Sequence, residues 1–219
     1  MPVTDLNPRC ALVVLDVQQG IVSLPLQPHP AERVVGNSAR LATAFRAAGL
    51  PVVLVNVAHG PDGAAALRPN ADVSPNSPSL DPEFERLAPE LAPEPGDLLI
   101  TKRQWGAFTG TELDLQMRRR GIEELVLTGV ATNLAVESTA RFAYELGYDI
   151  VVAEDATSTF SAEHQDFAIQ QILPMIARVD TTDAVLKALH SDPDAGLTET
   201  GGPFGDGQAR ATPGVPEHQ

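Results

Sequence analysis

The chain has 219 residues, which is enough for one domain with a substantial core and too few for two full α/β domains. Its 15 basic and 29 acidic residues give a formal net charge of −14, which argues against nucleic acid and anionic membranes as partners, because the protein's own field repels both. The single cysteine, Cys10, excludes an internal disulfide and any metal site built from several cysteines.

No segment has the pattern of a membrane span or a secretory signal. The longest purely apolar runs, 11–15 and 50–55, are far shorter than the ~20 residues that cross a bilayer. Residues 1–9 lack the apolar core of a signal peptide. We therefore expect a cytoplasmic protein.

Short apolar runs rich in β-branched residues alternate with longer segments of helical period. This alternation is typical of a parallel sheet whose strands are joined by crossover helices, so it predicts an α/β domain over residues 1–190. The predicted strands are 11–17, 52–57, 97–101, 124–129, 149–153 and 177–179. The predicted helices are 31–48, 111–120, 133–146, 162–174 and 182–189, the second beginning at Thr111.

Two segments interrupt the alternation. Residues 60–95 contain eight prolines and little period, which favours a lid over a pocket, with an oligomer contact as the alternative. Residues 191–219 contain six glycines and four prolines with almost no large apolar side chains, so we expect a disordered or loosely packed tail there.

Several polar residues follow the predicted strands, at the sheet edge where a parallel sheet places its ligands. They are Asp16, His59, Lys102, residues 132–135 and Asp155. A carboxylate after a fully apolar strand needs a cation or hydrogen-bond donors, or its pKa rises. Lys102 is the candidate cation for Asp16, and a purely structural ion pair is the alternative.

The segment 129–140 passes from a strand through a turn of small residues into a helix. The free amides at such a helix start favour negative charge that develops during a reaction. We therefore expect the amides of Ala131 and Ala135 to serve as anion-stabilising donors near Asp16 and Lys102.

Three motifs lie at strand ends in this order: VLDVQ at 14–18, TKRQWGAF at 101–108, and GVATN at 129–133 followed by VESTA at 136–140. Together they resemble the isochorismatase-like hydrolases, the superfamily that also contains nicotinamidases and other cysteine amidohydrolases. The resemblance runs from about residue 8 to residue 189. It implies a three-layer α/β/α fold with a six-stranded, mostly parallel, Rossmann-like sheet of order 3-2-1-4-5-6, a small-molecule substrate, a homodimer or homotetramer, and a cis peptide between Val130 and Ala131.

One position departs from the pattern of the cysteine amidohydrolases. Their nucleophilic cysteine corresponds to Ala135, while their aspartate and lysine correspond to Asp16 and Lys102. Cys10 cannot replace the nucleophile, because it begins the first strand and six residues at ~3.3 Å each place it roughly 20 Å from Asp16. We expect Cys10 to be a buried structural thiol.

Three explanations of Ala135 stay open. In the first, the chain resembles the isochorismatase branch, in which a small residue also replaces the cysteine. Asp16 then works as acid or base without a covalent intermediate, and Lys102 holds its charge state. The chain is alternatively an amidohydrolase that cleaves C–N bonds and whose cysteine has been replaced by alanine, naturally or by design. The third explanation is a catalytically silent relative that binds a small molecule.

Other residues are candidates for substrate binding. They are Gln18, His59, Trp105, Phe108, Thr132 and Asn133, with Trp105 and Phe108 as an apolar wall or as core residues. Arg103 and Gln104 could hold a substrate carboxylate, or be solvated on the surface. The metal-binding nicotinamidases use an aspartate and two histidines near the second strand, where this chain has only His59, so we predict no metal and no cofactor.

Overall fold

The computed structural model describes residues 2–73 and 79–190, which form one six-stranded sheet with helices on both faces. All strand pairs are parallel, and the strand order is β3-β2-β1-β4-β5-β6. The α/β fold and the strand order implied by the resemblance are therefore confirmed. The strands are β1 (Cys10–Leu15), β2 (Val52–Val57), β3 (Leu98–Lys102), β4 (Glu124–Val130), β5 (Asp149–Ser158) and β6 (Arg178–Asp180).

Six α-helices connect the strands, together with short 3₁₀ and π segments. The α-helices are α1 (Gln19–Val22), α2 (Ala31–Ala47), α3 (Leu113–Arg119), α4 (Glu137–Glu145), α5 (Ala162–Phe167) and α6 (Thr182–Leu189). The 3₁₀ helices are Pro82–Glu85, Pro89–Leu91 and Leu173–Met175, and the π-helices are Thr132–Val136 and Ala168–Ile172. None of the helices in the described part of the chain has both the length and the apolar character needed to cross a bilayer.

The central strand β1 separates two hydrophobic layers. Successive side chains of a strand point to opposite faces, so Leu12 and Val14 pack with α2 and α6, while Val13 and Leu15 pack with α3 and α4. Every residue of β1 is buried, because helices cover both faces of the parallel sheet. This arrangement leaves the strand ends as the places where polar side chains can meet.

Several predicted boundaries differ from the structure. β5 continues to Ser158 rather than ending at 153, with a register shift against β4 between Leu127 and Gly129. The predicted helix 162–174 is three short segments, because Pro174 has no amide hydrogen for an α-helical bond. Thr111 does not begin a helix, since α3 begins at Leu113.

The proline-rich segment is partly ordered against the sheet edge. Each of its two 3₁₀ helices, Pro82–Glu85 and Pro89–Leu91, begins with a proline, where the missing amide hydrogen costs nothing. Leu87, between them, forms an isolated antiparallel bridge with Gln18. Residues 74–78 and the predicted tail 191–219 lie outside the described residues.

Candidate active site

Asp16 follows β1 directly and leaves the strand in an unusual backbone conformation. Its φ is 56°, in the left-handed region that non-glycine residues adopt at a cost. The amide of Asp16 still donates to the carbonyl of Val55 at 2.9 Å, so the residue stays anchored to β2 while its side chain turns away from the strand direction.

Lys102, the last residue of β3, brings its ammonium to Asp16 from 86 positions along the chain. Its Nζ lies 2.6 Å from Asp16 Oδ2 and also donates to the carbonyl of Gln104 at 3.0 Å. The two side chains are nearly inaccessible, with 4% of Asp16 and 2% of Lys102 exposed. The expected Asp16–Lys102 ion pair is therefore present, and it is buried.

Burial dominates the electrostatics of this pair. It raises the pKa of Asp16 from its ordinary 3.8 to about 6, while the charge and the hydrogen bond of Lys102 oppose that rise. The second carboxylate oxygen, Oδ1, has no hydrogen-bond partner among the described residues. One oxygen is thus fixed by the lysine and the other is available to a bound molecule.

The end of β4 approaches β1 so closely that only glycine fits at 129. A Cβ built on Gly129 would lie 1.9 Å from the carbonyl oxygen of Leu15, and the φ of Gly129 is 123°. The next peptide bond, between Val130 and Ala131, is cis, as the resemblance implied. This packing brings the following turn against the residues that precede Asp16.

Ala135 lies in the π-helix Thr132–Val136 that leads into α4. A π-turn holds one more residue than an α-turn and occurs frequently at functional sites. The carbonyl of Ala131 accepts hydrogen bonds from the amides of Leu134 and Val136. The turn is therefore closed around Ala131.

Thr139 joins this turn to the loop that follows Lys102. Its hydroxyl donates to the carbonyl of Ala135 at 2.7 Å and accepts from the amide of Ala107 at 3.1 Å. Thr139 is fully buried, so these hydrogen bonds are shielded from water. The side chain thereby holds two of the three motifs in a fixed relation.

The three strand ends surround a cavity of about 220 Å³. Asp16, Lys102, Ala131 and Ala135 line it, and so do the candidates His59 and Trp105. Most of its remaining wall is apolar and consists of Ile21, Val57, Ala66, Leu67, Val130, Leu134 and Phe160. Because Ala66 and Leu67 belong to the proline-rich segment, that segment contributes to the cavity wall, and its role as a lid stays a prediction.

Gln18 and Phe108, two of the predicted substrate-binding residues, are directed elsewhere. Gln18 is fully buried, accepts from the amide of Val57, and donates to the carbonyls of Val57 and Phe84. Phe108 is 7% exposed and packs in the core with its ring centroid 5.9 Å from that of Tyr148. Both side chains stabilise the scaffold behind the cavity, which corrects their expected position on its wall.

Thr132 and Asn133 also lie off the cavity wall, although they follow β4 as predicted. Thr132 is fully buried, and its hydroxyl has no hydrogen-bond partner among the described residues. The Asn133 side-chain oxygen accepts from Thr159 Oγ1 at 2.6 Å, which ties the turn to the end of β5. Asp155 accepts from the amide and hydroxyl of Thr182, so it fixes the start of α6.

Sequence reasoning missed most of the apolar wall of the cavity, including Ile21, Leu67 and Phe160. Phe160 was missed because β5 is longer than predicted and carries the chain to the same sheet edge. Ile21 lies in α1, a single turn too short to give a periodic signal. Ile21 lies six positions after the end of β1 and Phe160 two positions after the end of β5, so a search of the first six positions after each strand finds both once the strand ends are known.

His59 is the only histidine on the cavity wall, and its Nδ1 is buried without a partner among the described residues. Burial lowers the pKa of His59, and the nearby positive charge of Arg103 lowers it further, so the ring is neutral at neutral pH. Within residues 2–73 and 79–190, no three His, Cys, Asp or Glu side chains are grouped closely enough to hold a metal ion.

Cys10 is far from this chemistry, at the opposite end of β1, where it pairs in register with Glu124. It is 1% exposed, and burial together with the charge of Glu124 raises the pKa of its thiol to about 12. A larger groove of about 870 Å³ also lies at that end, lined by Glu124 and Arg178 among others. Since Glu124 and Arg178 pair with each other there, we assign the site to the smaller cavity.

The chain matches the isochorismatase domain over residues 10–184. It is 47% identical over 179 residues to the isochorismatase family protein YecD of Escherichia coli O157:H7, covering 82% of this chain and 95% of YecD. The ureidoacrylate amidohydrolase RutB of Variovorax paradoxus is 32% identical over 205 residues, covering 81% of this chain and 80% of RutB.

A solved structure is similar to this fold. An isochorismatase family protein from Burkholderia thailandensis superposes with a TM-score of 0.84 at 52% identity, covering 86% of this chain and all of that one. Three motifs at three strand ends, the domain match and these relatives agree with one another. The chain therefore belongs to the isochorismatase family and is a hydrolase of that family.

Proposed function

We propose that this hydrolase acts on a small molecule by non-covalent acid–base chemistry centred on Asp16. The observation that carries the proposal is the environment of that carboxylate. One oxygen is bound to Lys102, while the other, Oδ1, is buried without a partner from the described residues, in a cavity that Ala135 also lines. A carboxyl group in this state can give a proton to a substrate or take one from water.

The pKa of about 6 suits both directions of proton transfer. Near neutral pH about one-tenth of the Asp16 carboxyls are protonated, so both the acid and the base form are available. Lys102 stabilises the carboxylate after it has given its proton. In the acid role, Asp16 gives its proton to the terminal vinyl carbon of a vinyl ether, and water adds to the resulting oxocarbenium carbon and returns a proton to Asp16. The adduct then collapses with cleavage of its C–O bond, which releases a carbonyl compound and an alcohol.

The alanine at 135 supports a route without a covalent intermediate, because its methyl group cannot attack a substrate. The chain's only cysteine is buried about one strand length away. We assign the amides of Ala131 and Ala135 to hydrogen bonds with a substrate oxygen that carries or gains negative charge, such as a carboxylate oxygen or a carbonyl oxygen that water attacks. Both residues line the cavity, and amide donors in a site with little water stabilise such charge strongly.

Hydrolysis of a C–N bond is the second candidate function. Its support is the similarity to RutB, a ureidoacrylate amidohydrolase. Asp16 would then take a proton from the water that adds to the carbonyl carbon and give it to the nitrogen as the C–N bond breaks. The carbonyl oxygen would lie against the amides of Ala131 and Ala135. A role in binding alone is less well supported, because a buried charge pair is costly and a silent pocket has no use for it.

The test is a panel of isochorismate, ureidoacrylate and simple amides, assayed with wild type, Asp16→Asn and Ala135→Cys. Asn is nearly the same size as Asp but cannot give or take the proton. We expect Asp16→Asn to reduce kcat by about 10²–10⁴, the usual contribution of a positioned acid or base. Circular dichroism and unfolding curves check that the variant is folded.

The outcomes separate the candidates. Cleavage of isochorismate that depends on Asp16 and needs no thiol supports the first function. Ammonia released from ureidoacrylate or an amide by wild type supports the second, and release by Ala135→Cys alone points to a lost nucleophile. Unchanged turnover in Asp16→Asn would remove Asp16 from the mechanism, and tight binding without turnover in any variant would indicate a binding protein.

A further inference from the structure

Arg103 is a cation on the cavity wall that has no acidic partner in the described part of the chain. It follows Lys102 directly, is exposed, and lines the cavity that contains Asp16. Its only hydrogen bond within the described residues runs from Nη1 to the carbonyl of Lys102 at 3.1 Å. A guanidinium has five N–H donors in a planar fork, so most of its donors are open to a ligand.

Arg103 is, among the described residues, an unpaired positive charge at the cavity of a protein that is strongly negative overall. The protein has a net charge of −14, and most arginines in its described part form ion pairs with carboxylates, as Arg46 does with Asp97 and Arg178 with Glu124. Arg103 has no carboxylate within ion-pair distance among residues 2–73 and 79–190. In a protein that repels anions overall, an unpaired arginine at a cavity creates a local site where an anion is attracted.

His59 provides a second polar group at the same place. Its Nδ1 is buried and has no hydrogen-bond partner among the described residues. Its ring lines the cavity and is close enough to Arg103 for the charge of the guanidinium to act on it. The carboxylate of Glu85 raises the pKa of His59, whereas the ammonium of Lys102, like the guanidinium of Arg103, lowers it. A neutral imidazole beside a guanidinium can add a hydrogen bond to a carboxylate without adding charge.

We propose that Arg103 and His59 form a carboxylate subsite, so that this hydrolase acts on small carboxylic acids whose reactive bond lies beside Asp16. The cavity measures about 220 Å³, and Arg103, His59 and Asp16 all line it. The carboxylate and the reactive bond therefore belong to one small molecule. The apolar wall, with Trp105 and Phe160 among its members, fits a flat or unsaturated middle part.

This subsite rests on the proposed function for its link to the reaction, so its test measures binding alone. Trp105 is the only tryptophan of the chain and lines the cavity, so its fluorescence reports occupancy directly. The probes are benzoate and benzamide, which share a flat ring and differ in the charge of the substituent. Thermal unfolding with each probe gives a second, independent measure of binding.

We expect wild type to bind benzoate at least ~10-fold more tightly than benzamide, because hydrogen bonds to a charged group contribute more than neutral ones. Arg103→Gln should abolish this preference, and His59→Phe should reduce it. The matched control is Arg119→Gln. It removes an exposed arginine at the end of α3 that likewise has no carboxylate partner among the described residues, and it should keep the preference.

The result that would overturn the subsite is benzoate binding no more tightly than benzamide, including the case in which neither probe changes fluorescence or unfolding. An equal loss of preference in Arg103→Gln and Arg119→Gln would also overturn it, since the effect would then come from net charge. Preference for benzoate in a protein without turnover would retain the subsite while removing the proposed function. Turnover in a protein that does not prefer benzoate would retain the proposed function while removing the subsite.

Discussion

Replacing Lys102 by Met should make the stability of the protein depend on pH in a range where wild type does not. The folded pKa of Asp16, about 6, lies above its ordinary 3.8, so the folded state holds the proton more tightly than the unfolded chain. In wild type, stability from this carboxyl is greatest below pH 3.8 and is lost as pH rises to about 6. Above that pH the contribution is constant.

The variant extends this loss to higher pH. Lys102→Met removes both the charge and the hydrogen bond that lower the pKa of Asp16, so the pKa rises further while the buried chain volume is nearly retained. Each pH unit between the two folded pKa values then costs the variant about 1.4 kcal/mol relative to wild type. From about pH 6 to pH 8 the difference should widen by up to roughly 3 kcal/mol.

A constant loss adds to this pH-dependent one. The carbonyl of Gln104 loses its bond from Lys102, which costs about 1–3 kcal/mol when the group stays buried. Urea unfolding of both proteins at a series of pH values measures the two parts separately. Arg119→Met, which removes an exposed cation, is the control and should show a difference that does not change with pH. A Lys102→Met difference that also stays constant above pH 6 would refute the electrostatic account of Asp16.

If Asp16 gives a proton to a vinyl ether, kcat/KM should fall as pH rises through about 6. If Asp16 takes a proton from water in C–N hydrolysis, kcat/KM should rise over the same range. A pH profile of kcat/KM measures this, and a flat profile contradicts both roles. Thr139→Val should lower kcat and cost about 2 kcal/mol of stability, because both buried hydrogen bonds of the hydroxyl are lost, whereas Thr139→Ser should restore activity. Activity equal to wild type in the valine variant would show that the link between the two loops is dispensable. Gly129→Ala should lower the free energy of unfolding by more than ~3 kcal/mol, because its Cβ would overlap the carbonyl of Leu15. The control Gly121→Ala, also at positive φ but in open space, should lower it by only ~1 kcal/mol. Equal unfolding midpoints of the two variants would contradict the close approach of Gly129 to Leu15.

The sheet and its main polar pair were accessible from sequence for a simple physical reason. A parallel strand covered on both faces is largely apolar, so β1 is visible as an uninterrupted apolar run and β4 as a mostly apolar one. The carboxyl ends of such strands converge, and therefore the first polar residues after them are neighbours. Asp16 and Lys102 follow from this rule, although they are 86 positions apart.

Other parts of the site depend on segments that have no periodic pattern. Gln18 is only two positions after Asp16 in the sequence. Its side-chain amide nevertheless points away from the cavity, because it donates to the carbonyl of Phe84 in the 3₁₀ helix Pro82–Glu85. Phe108 is drawn into the core by Tyr148, whose position depends on the packing of the loop after α4. These tertiary contacts place both side chains off the cavity wall, and the sequence around Gln18 and Phe108 contains no pattern that predicts such contacts.

The seclusion of Cys10 has a consequence for how this protein tolerates its surroundings. A hydrolase that relies on a reactive thiolate is disabled by peroxides, alkylating agents and heavy metals. In this chain the lone sulfhydryl is 1% exposed and its pKa is about 12, so almost no thiolate exists at physiological pH. A site of carboxylate, ammonium and amide groups should keep its full turnover after treatment with iodoacetamide or hydrogen peroxide, and it needs no reducing agent to persist in an oxidising medium.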